Sequence, residues 1–130
     1  MRLLLDTHIW VWSLLEPNRI KPSIQRELQK KENELWISPI SLWEVLILHR
    51  KGRLELQPDP FTWIDSALTE VPMHEATVNF GVSIMSEKLS LKVKDPADRF
   101  LVATACVYDL VFVTADAHFR TTDHYAVLRA

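Results

Sequence analysis

Three apolar side chains stand in a row at Leu3-Leu4-Leu5, and a carboxylate, Asp6, follows them at once. A run this short cannot make a helix, and it does not alternate, so it reads as a strand buried on both faces. Such strands belong to parallel sheets that carry helices on each side. In those folds the acid that ends the strand lies at the carboxyl edge of the sheet, where ligands bind. Leu110-Val111-Phe112-Val113 repeats the pattern late in the chain, and Asp116 follows it after Thr114-Ala115.

Between these two strands the pattern alternates. A short helix is expected over 8–15, ended by Glu16-Pro17-Asn18, and Pro22 opens a charged helix that runs to about Asn33. Residues 34–38 read as a strand closed by Pro39, and 41–50 as an apolar-rich helix stopped at Gly52. Residues 53–56 make at most a short edge segment. One or two helical turns over 61–68, a weak proline-limited strand over 69–72 and a helix over 74–89 follow. The loop 90–94 carries two lysines, and 96–108 is apolar on nearly every side, hence a central helix. A short helix around His118 and a strand over 125–128 close the chain. Strands alternating with helices give an α/β domain with a parallel sheet covered on both faces, one domain over residues 1–130.

Length and composition agree with an ordinary globular core: 130 residues, 48% hydrophobic and 25% charged. The single cysteine, Cys106, permits no disulfide framework and suits a reducing cytoplasm. Asp6 and His8 interrupt the first apolar run, so a signal peptide is not expected, and no stretch is long enough to cross a bilayer. With two glycines there is no phosphate-cradling glycine loop. The net charge of −2 decides little if several carboxylates are gathered around a cation.

Four acids draw the functional question. Each has an ordinary reading as a helix cap. Asp6 can cap the helix after it, and Ser41-Leu42-Trp43-Glu44 matches a capping box in which Glu44 reaches back to the Ser41 amide. Asp95-Pro96-Ala97-Asp98 is a strong helix start, and Asp116 can cap the last short helix. Taken singly, capping is the first reading of each. Taken together, all four open onto the same edge of a parallel sheet. Carboxylates crowded there raise one another's pKa, and such a cluster normally holds a divalent cation. An all-oxygen ligand set indicates Mg²⁺ or Mn²⁺.

Leu-Leu-Asp-Thr-His, Ile-Ser-Leu-Trp-Glu, Asp-Pro-Ala-Asp-Arg-Phe-Leu-Val-Ala-Thr-Ala and Val-Thr-Ala-Asp, in that order, resemble a PIN domain. More narrowly, they resemble the VapC-type toxins of bacterial toxin–antitoxin pairs, from Leu3 to Asp116. The resemblance implies a three-layer α/β/α sandwich and a Mg²⁺-dependent endoribonuclease, with Mn²⁺ as a possible substitute. It makes Asp6, Glu44, Asp98 and Asp116 the catalytic, metal-binding acids, with Asp95 as an accessory acid. It also implies an RNA substrate, a cognate antitoxin laid into an apolar groove, and a homodimer. Where many relatives carry a histidine or glycine before the Asp95 position, this chain has Lys92-Val93-Lys94.

Thr7 and Thr114 flank site acids and are candidates to orient them. Arg99 is a candidate partner for a carboxylate or a phosphate. Ser41 reads as a cap. The five histidines lack zinc-ligand spacing, though His8 and His118 each lie two residues past a site acid. Lys92, Lys94, Arg50, Lys51, Arg53 and Arg120 are candidates for an RNA-backbone rim. Trp10, Trp12, Trp36 and Trp43 read mostly as core, with one or two available to a dimer or antitoxin groove. A haloacid-dehalogenase phosphatase would need a second Asp where His8 stands. A receiver domain would need a paired acid early and a lysine after a late strand. A PIN-like RNA-binding protein, or a structure-specific nuclease outside a toxin pair, is the alternative that the motifs leave.

Overall fold

The computed structural model describes residues 1–89 and 92–130. Its centre is β1 (Arg2–Leu5), which pairs in parallel with β2 (Glu34–Ile37) on one side and β4 (Val111–Thr114) on the other. Leu4 stands level with Trp36 and Phe112. β3 (His74–Glu75) extends the sheet beyond β2, and β5 (Ala126–Arg129) beyond β4, giving the order β3-β2-β1-β4-β5 with every pair parallel.

Alternation along β1 divides the core in two. Leu3 and Leu5 point to one face, where they join Ile9 and Trp10 of α1 (Thr7–Leu15), Ile24 of α2 (Pro22–Gln29), Val45 of α3 (Pro39–Arg50) and Ala67 of α4 (Pro60–Glu70). Leu4 and Phe112 point to the other, where Val82 of α5 (Phe80–Lys88) and Leu101 and Val102 of α6 (Pro96–Tyr108) cover them. Three layers result. The sheet grows outward from β1 through β2 to β3, returns under α5 and α6 to β4, and then grows the opposite way. The order therefore switches direction between β1 and β4, and a crevice opens there beyond the carboxyl ends of the strands.

Several boundaries differ from expectation, each for a local reason. α2 stops at Gln29 because the Asn33 amide donates to the Glu27 carbonyl and carboxylate, pulling residues 30–33 across to start β2. α4 starts at Pro60, where Asp59 caps Thr62 N, and runs to Glu70, its ladder closing with Val71 N on the Ala67 carbonyl, so Thr69 and Glu70 are helical and no strand forms over 69–72. The third strand is instead β3, where His74 stacks on Trp36 at 4.8 Å between ring centres. The helix expected from His74 begins at Phe80, capped by the Asn79 side chain on Val82 N. Around His118 there is a turn and no helix. Ser90 and Leu91, which open the expected loop 90–94, lie outside the described residues. The central helix α6 carries six buried residues, as its composition requires. Gly52, at φ 72°, ends α3 as expected, letting Arg53 N reach the Leu48 carbonyl at 2.9 Å.

Candidate active site at the carboxyl edge

Asp6 leaves β1 and caps α1, its Oδ1 accepting from Thr7 N at 2.8 Å. The fully buried Thr114, last residue of β4, donates its hydroxyl to Asp6 Oδ2 at 2.7 Å. Thr114 Oγ1 also accepts from Asp116 N at 3.1 Å, so one hydroxyl fixes the ends of both central strands. Buried Thr7 does the same for α3. Its Oγ1 lies 2.7 Å from Glu44 Oε1 and 2.9 Å from Ser41 Oγ. A hydroxyl has one proton to give, and an ionised carboxylate can only accept. Thr7 therefore donates to Glu44 and receives from Ser41.

The capping box expected over 41–44 does not form. Ser38 caps α3 through Ile40 N, and Pro39 is the first helical residue. Ser41 thus falls inside the first turn, fully buried, and its hydroxyl faces Thr7. Glu44 is released from the backbone and turned to the cleft. The Ser38-Pro39 pair is the signal that would have shown this.

The acids differ in how they are held. Burial raises the Asp6 carboxyl, and the Thr114 and Thr7 bonds oppose that rise. Burial also raises Glu44, with the Thr7 bond acting against it and the charges of Asp6 and Asp95 adding to it. Asp98, in the first turn of α6, is pushed up to about 7, first by burial and then by Asp95, Asp6, Glu44 and Asp116. Asp116 goes the other way, because the His118 amide and imidazole both bond its Oδ1, at 2.9 and 2.7 Å. Asp95 caps α6 on Ala97 N and Asp98 N.

All five acids line one cleft of about 460 Å³, with His8, Trp12 and Ala115. They arrive from β1, α3, α6 and the β4–β5 loop. Among the described residues no three His, Cys, Asp or Glu side chains converge tightly enough to form a finished metal shell. The donor chemistry nonetheless suits Mg²⁺, which takes one or two carboxylates and keeps several waters. Burial lifts Asp98 most, and the repulsion from the other acids that adds to it is what a divalent cation would cancel.

The family model for the PIN domain matches residues 3–125. The chain belongs to the PIN domain family. Ribonuclease VapC22 of Mycobacterium tuberculosis is 29% identical over 125 residues, covering 94% of this chain and 92% of that protein. Among solved structures, VapBC2 from Rickettsia felis, bound to a DNA fragment from its promoter, superposes with a TM-score of 0.73 at 16% identity. The alignment covers 100% of this chain and 99% of that one. VapBC-1 from nontypeable Haemophilus influenzae gives 0.71 at 21% identity, covering 99% and 98%.

Two further features of this PIN domain bear on the expected residues. Arg99 turns to the α5–α6 connection, where its guanidinium donates to the carbonyls of Val93 (3.0 Å), Ser86 (2.7 Å) and Leu89 (3.3 Å). Of the four tryptophans expected mostly in the core, with one or two left for a groove, Trp43 is 55% exposed and lines an apolar groove beside the cleft with Ile40, Ile47, Leu48 and Phe100. Glu44 and Asp95 border both the groove and the cleft. Among the described residues no helix is long and apolar enough to cross a membrane.

Proposed function

We propose that this PIN domain is a metal-dependent endoribonuclease, the toxin of a toxin–antitoxin pair. Asp6, Glu44, Asp98 and Asp116 are its catalytic, metal-binding carboxylates, and Asp95 is the accessory acid. The observation that carries the reading is the meeting of these acids, from four separate elements, in one cleft where burial first, and then their charges, raise Asp98 to about 7. Bound Mg²⁺ or Mn²⁺ would lower the pKa of a water and neutralise charge on the phosphodiester oxygens.

The chain's own residues supply position. Thr114 and Thr7 fix Asp6 and Glu44 in single orientations from a buried base, so neither carboxylate has to be ordered when substrate arrives. No histidine is needed as a base. The mycobacterial relative, a ribonuclease, supports the reaction, and the solved neighbours, VapBC structures, support a protein partner. An antitoxin helix would fit the Trp43 groove, from which it reaches Glu44 and Asp95 directly. A homodimer would suit the exposed Phe80 and Ile84, one turn apart on α5, and Val107 on α6.

The test is cleavage of a mixed structured-RNA pool with Mg²⁺ or Mn²⁺ and again with EDTA, wild type beside Asp98→Asn. Metal-dependent cutting that the variant loses supports the reading. Metal binding in calorimetry without cutting would favour a PIN domain that binds RNA only. No metal binding would return the four acids to helix capping and overturn the proposal.

A further inference from the structure

The acid cleft has two neighbours of opposite character. On the α3 side lies the apolar groove, with Lys51 as its one basic residue among those described. On the other side a cavity of about 720 Å³ runs on from Asp95, Asp98 and Asp116 between the 92–94 segment and the β4–β5 loop. Lys92 and Lys94 line one wall and Arg120 the other. Of the six basic residues that were rim candidates, these three border this cavity, and Arg50 and Arg53 border neither space.

We propose that this basic arm is the track for the RNA backbone. Lys92, Lys94 and Arg120 bind phosphates that flank the scissile one, and the strand leaves the acids on this side only. The inference rests on the ribonuclease reading above. Among the described residues none of the three cations makes an ion pair with a carboxylate, so their charge is available to a polyanion. Arg99 ties Val93 to the end of α5, which holds the lysine wall. Arg129 donates to the carbonyls of Asp116 and Phe119, Phe119 is buried edge-on against Phe112 at 5.2 Å, and Thr121 Oγ1 accepts from Val127 N. Those contacts hold the Arg120 wall. Two cationic walls that meet at a carboxylate cluster suit a substrate whose flanking phosphates need cations and whose central phosphate needs a metal.

The experiment measures binding of a labelled single-stranded RNA of mixed sequence over a salt series. Asp98→Asn protein is used so that the RNA stays intact. Adding Lys92→Ala, Lys94→Ala and Arg120→Ala should reduce the slope of log K against log salt by about 2, at about 0.7 per phosphate, and weaken binding roughly ten- to hundred-fold. Adding Arg50→Ala, Lys51→Ala and Arg53→Ala instead should leave both unchanged. With Asp98 restored, the first triple variant should raise KM and hold kcat. Should that triple variant fail to fold, the single exposed changes Lys92→Ala and Lys94→Ala should each lower the slope by about 0.7. Unchanged slopes, where the Asp98→Asn parent binds RNA and the wild type cuts it, would overturn the track and leave the nuclease standing. A wild type that neither binds nor cuts RNA would sink both.

Discussion

Asp6 and Asp98 face the same cleft and are held by opposite means. Asp6 accepts a buried threonine hydroxyl on one oxygen and a backbone amide on the other. Asp98 accepts no hydrogen bond from the described residues, and burial, followed by the charges of Asp95, Asp6, Glu44 and Asp116, pushes its carboxyl up to about 7. Glu44 sides with Asp6, through Thr7. One half of the site is thus ordered before any cation arrives, and the other half is electrostatically unbalanced until one does. Preorganisation and strain are divided between the sheet and helix α6.

Exchanging either acid for its amide should break that contrast most sharply. Asp6→Asn and Asp98→Asn should each lower metal-dependent cleavage by more than about 100-fold, since loss even of an outer-shell partner costs 10–100-fold. Their effects on the metal-free fold should have opposite signs. The folded pKa of Asp98 lies above its ordinary 3.8. The stability it contributes is therefore full below that value and is lost as pH rises through about 7. Asp98→Asn should raise the melting temperature at about pH 8 and change it little at about pH 4. Asp6→Asn should lower it most at about pH 4, because an amide cannot accept from both Thr7 N and Thr114 without presenting its NH₂ to one of them, and less at about pH 8, where removing a buried charge offsets part of that loss. Thermal melts of the two variants without metal decide this. A gain from both, or from neither, would mean that the two halves are not differently held.

The threonines come next. Thr114→Val and Thr7→Val keep shape and delete the hydroxyls, leaving half-buried carboxylates without that donor. Each should cost about 1–3 kcal/mol of stability in denaturant unfolding. Each should also weaken Mn²⁺ binding in calorimetry by about 10- to 100-fold. A stability loss with unchanged metal affinity would make the hydroxyls structural only.

Much of this was legible in the residues. Leu3-Leu4-Leu5 and the run before Thr114 had to be buried parallel strands, and a parallel sheet places the acids after them on one edge. Asp95-Pro96 marked the start of α6 to the residue. Contacts between distant segments were not legible. Thr7 and Glu44 are 37 positions apart, and nothing in either neighbourhood states that they touch. Local rules also competed. Ser41 and Glu44 satisfy the spacing of a capping box, but Ser38-Pro39 three residues earlier satisfies a better helix start, and only one N-terminus can form. The two-residue β3 is decided by the pairing of His74 with Trp36, too short a stretch for any period to appear. Lys92, Lys94 and Arg120 read as scattered charges until the β4–β5 loop brings the last of them across from the first two.

A gentler way to sharpen the contrast is pH. A carboxyl near 7 must lose its proton before it can ligate, so metal binding should strengthen as pH rises through that range. Below about pH 7 the affinity of wild type for Mn²⁺ should fall about tenfold per pH unit, with one proton released per ion bound. Asp98→Asn should bind more weakly and without that dependence. Calorimetry in two buffers of different ionisation enthalpy measures the proton directly, and no proton release at about pH 6 would contradict the assignment of Asp98.

The smallest effect separates two serines. Ser38 and Ser41 are both fully buried in the approach to α3, yet they serve different ends. Ser38 caps the helix through Ile40 N at 3.1 Å, so Ser38→Ala should cost about 1 kcal/mol of stability and leave metal affinity alone. Ser41 supplies the proton that lets Thr7 commit its own to Glu44. Ser41→Ala leaves the Thr7–Glu44 bond possible but frees Thr7 to rotate, since its oxygen no longer receives a donor. That change should weaken Mn²⁺ binding by roughly two- to fivefold, below the 10–100-fold of a direct partner because one bond of the relay survives. If Ser38→Ala moved metal affinity and Ser41→Ala did not, the capping role would belong to neither residue as assigned, and the path from Ser41 through Thr7 to Glu44 would carry nothing.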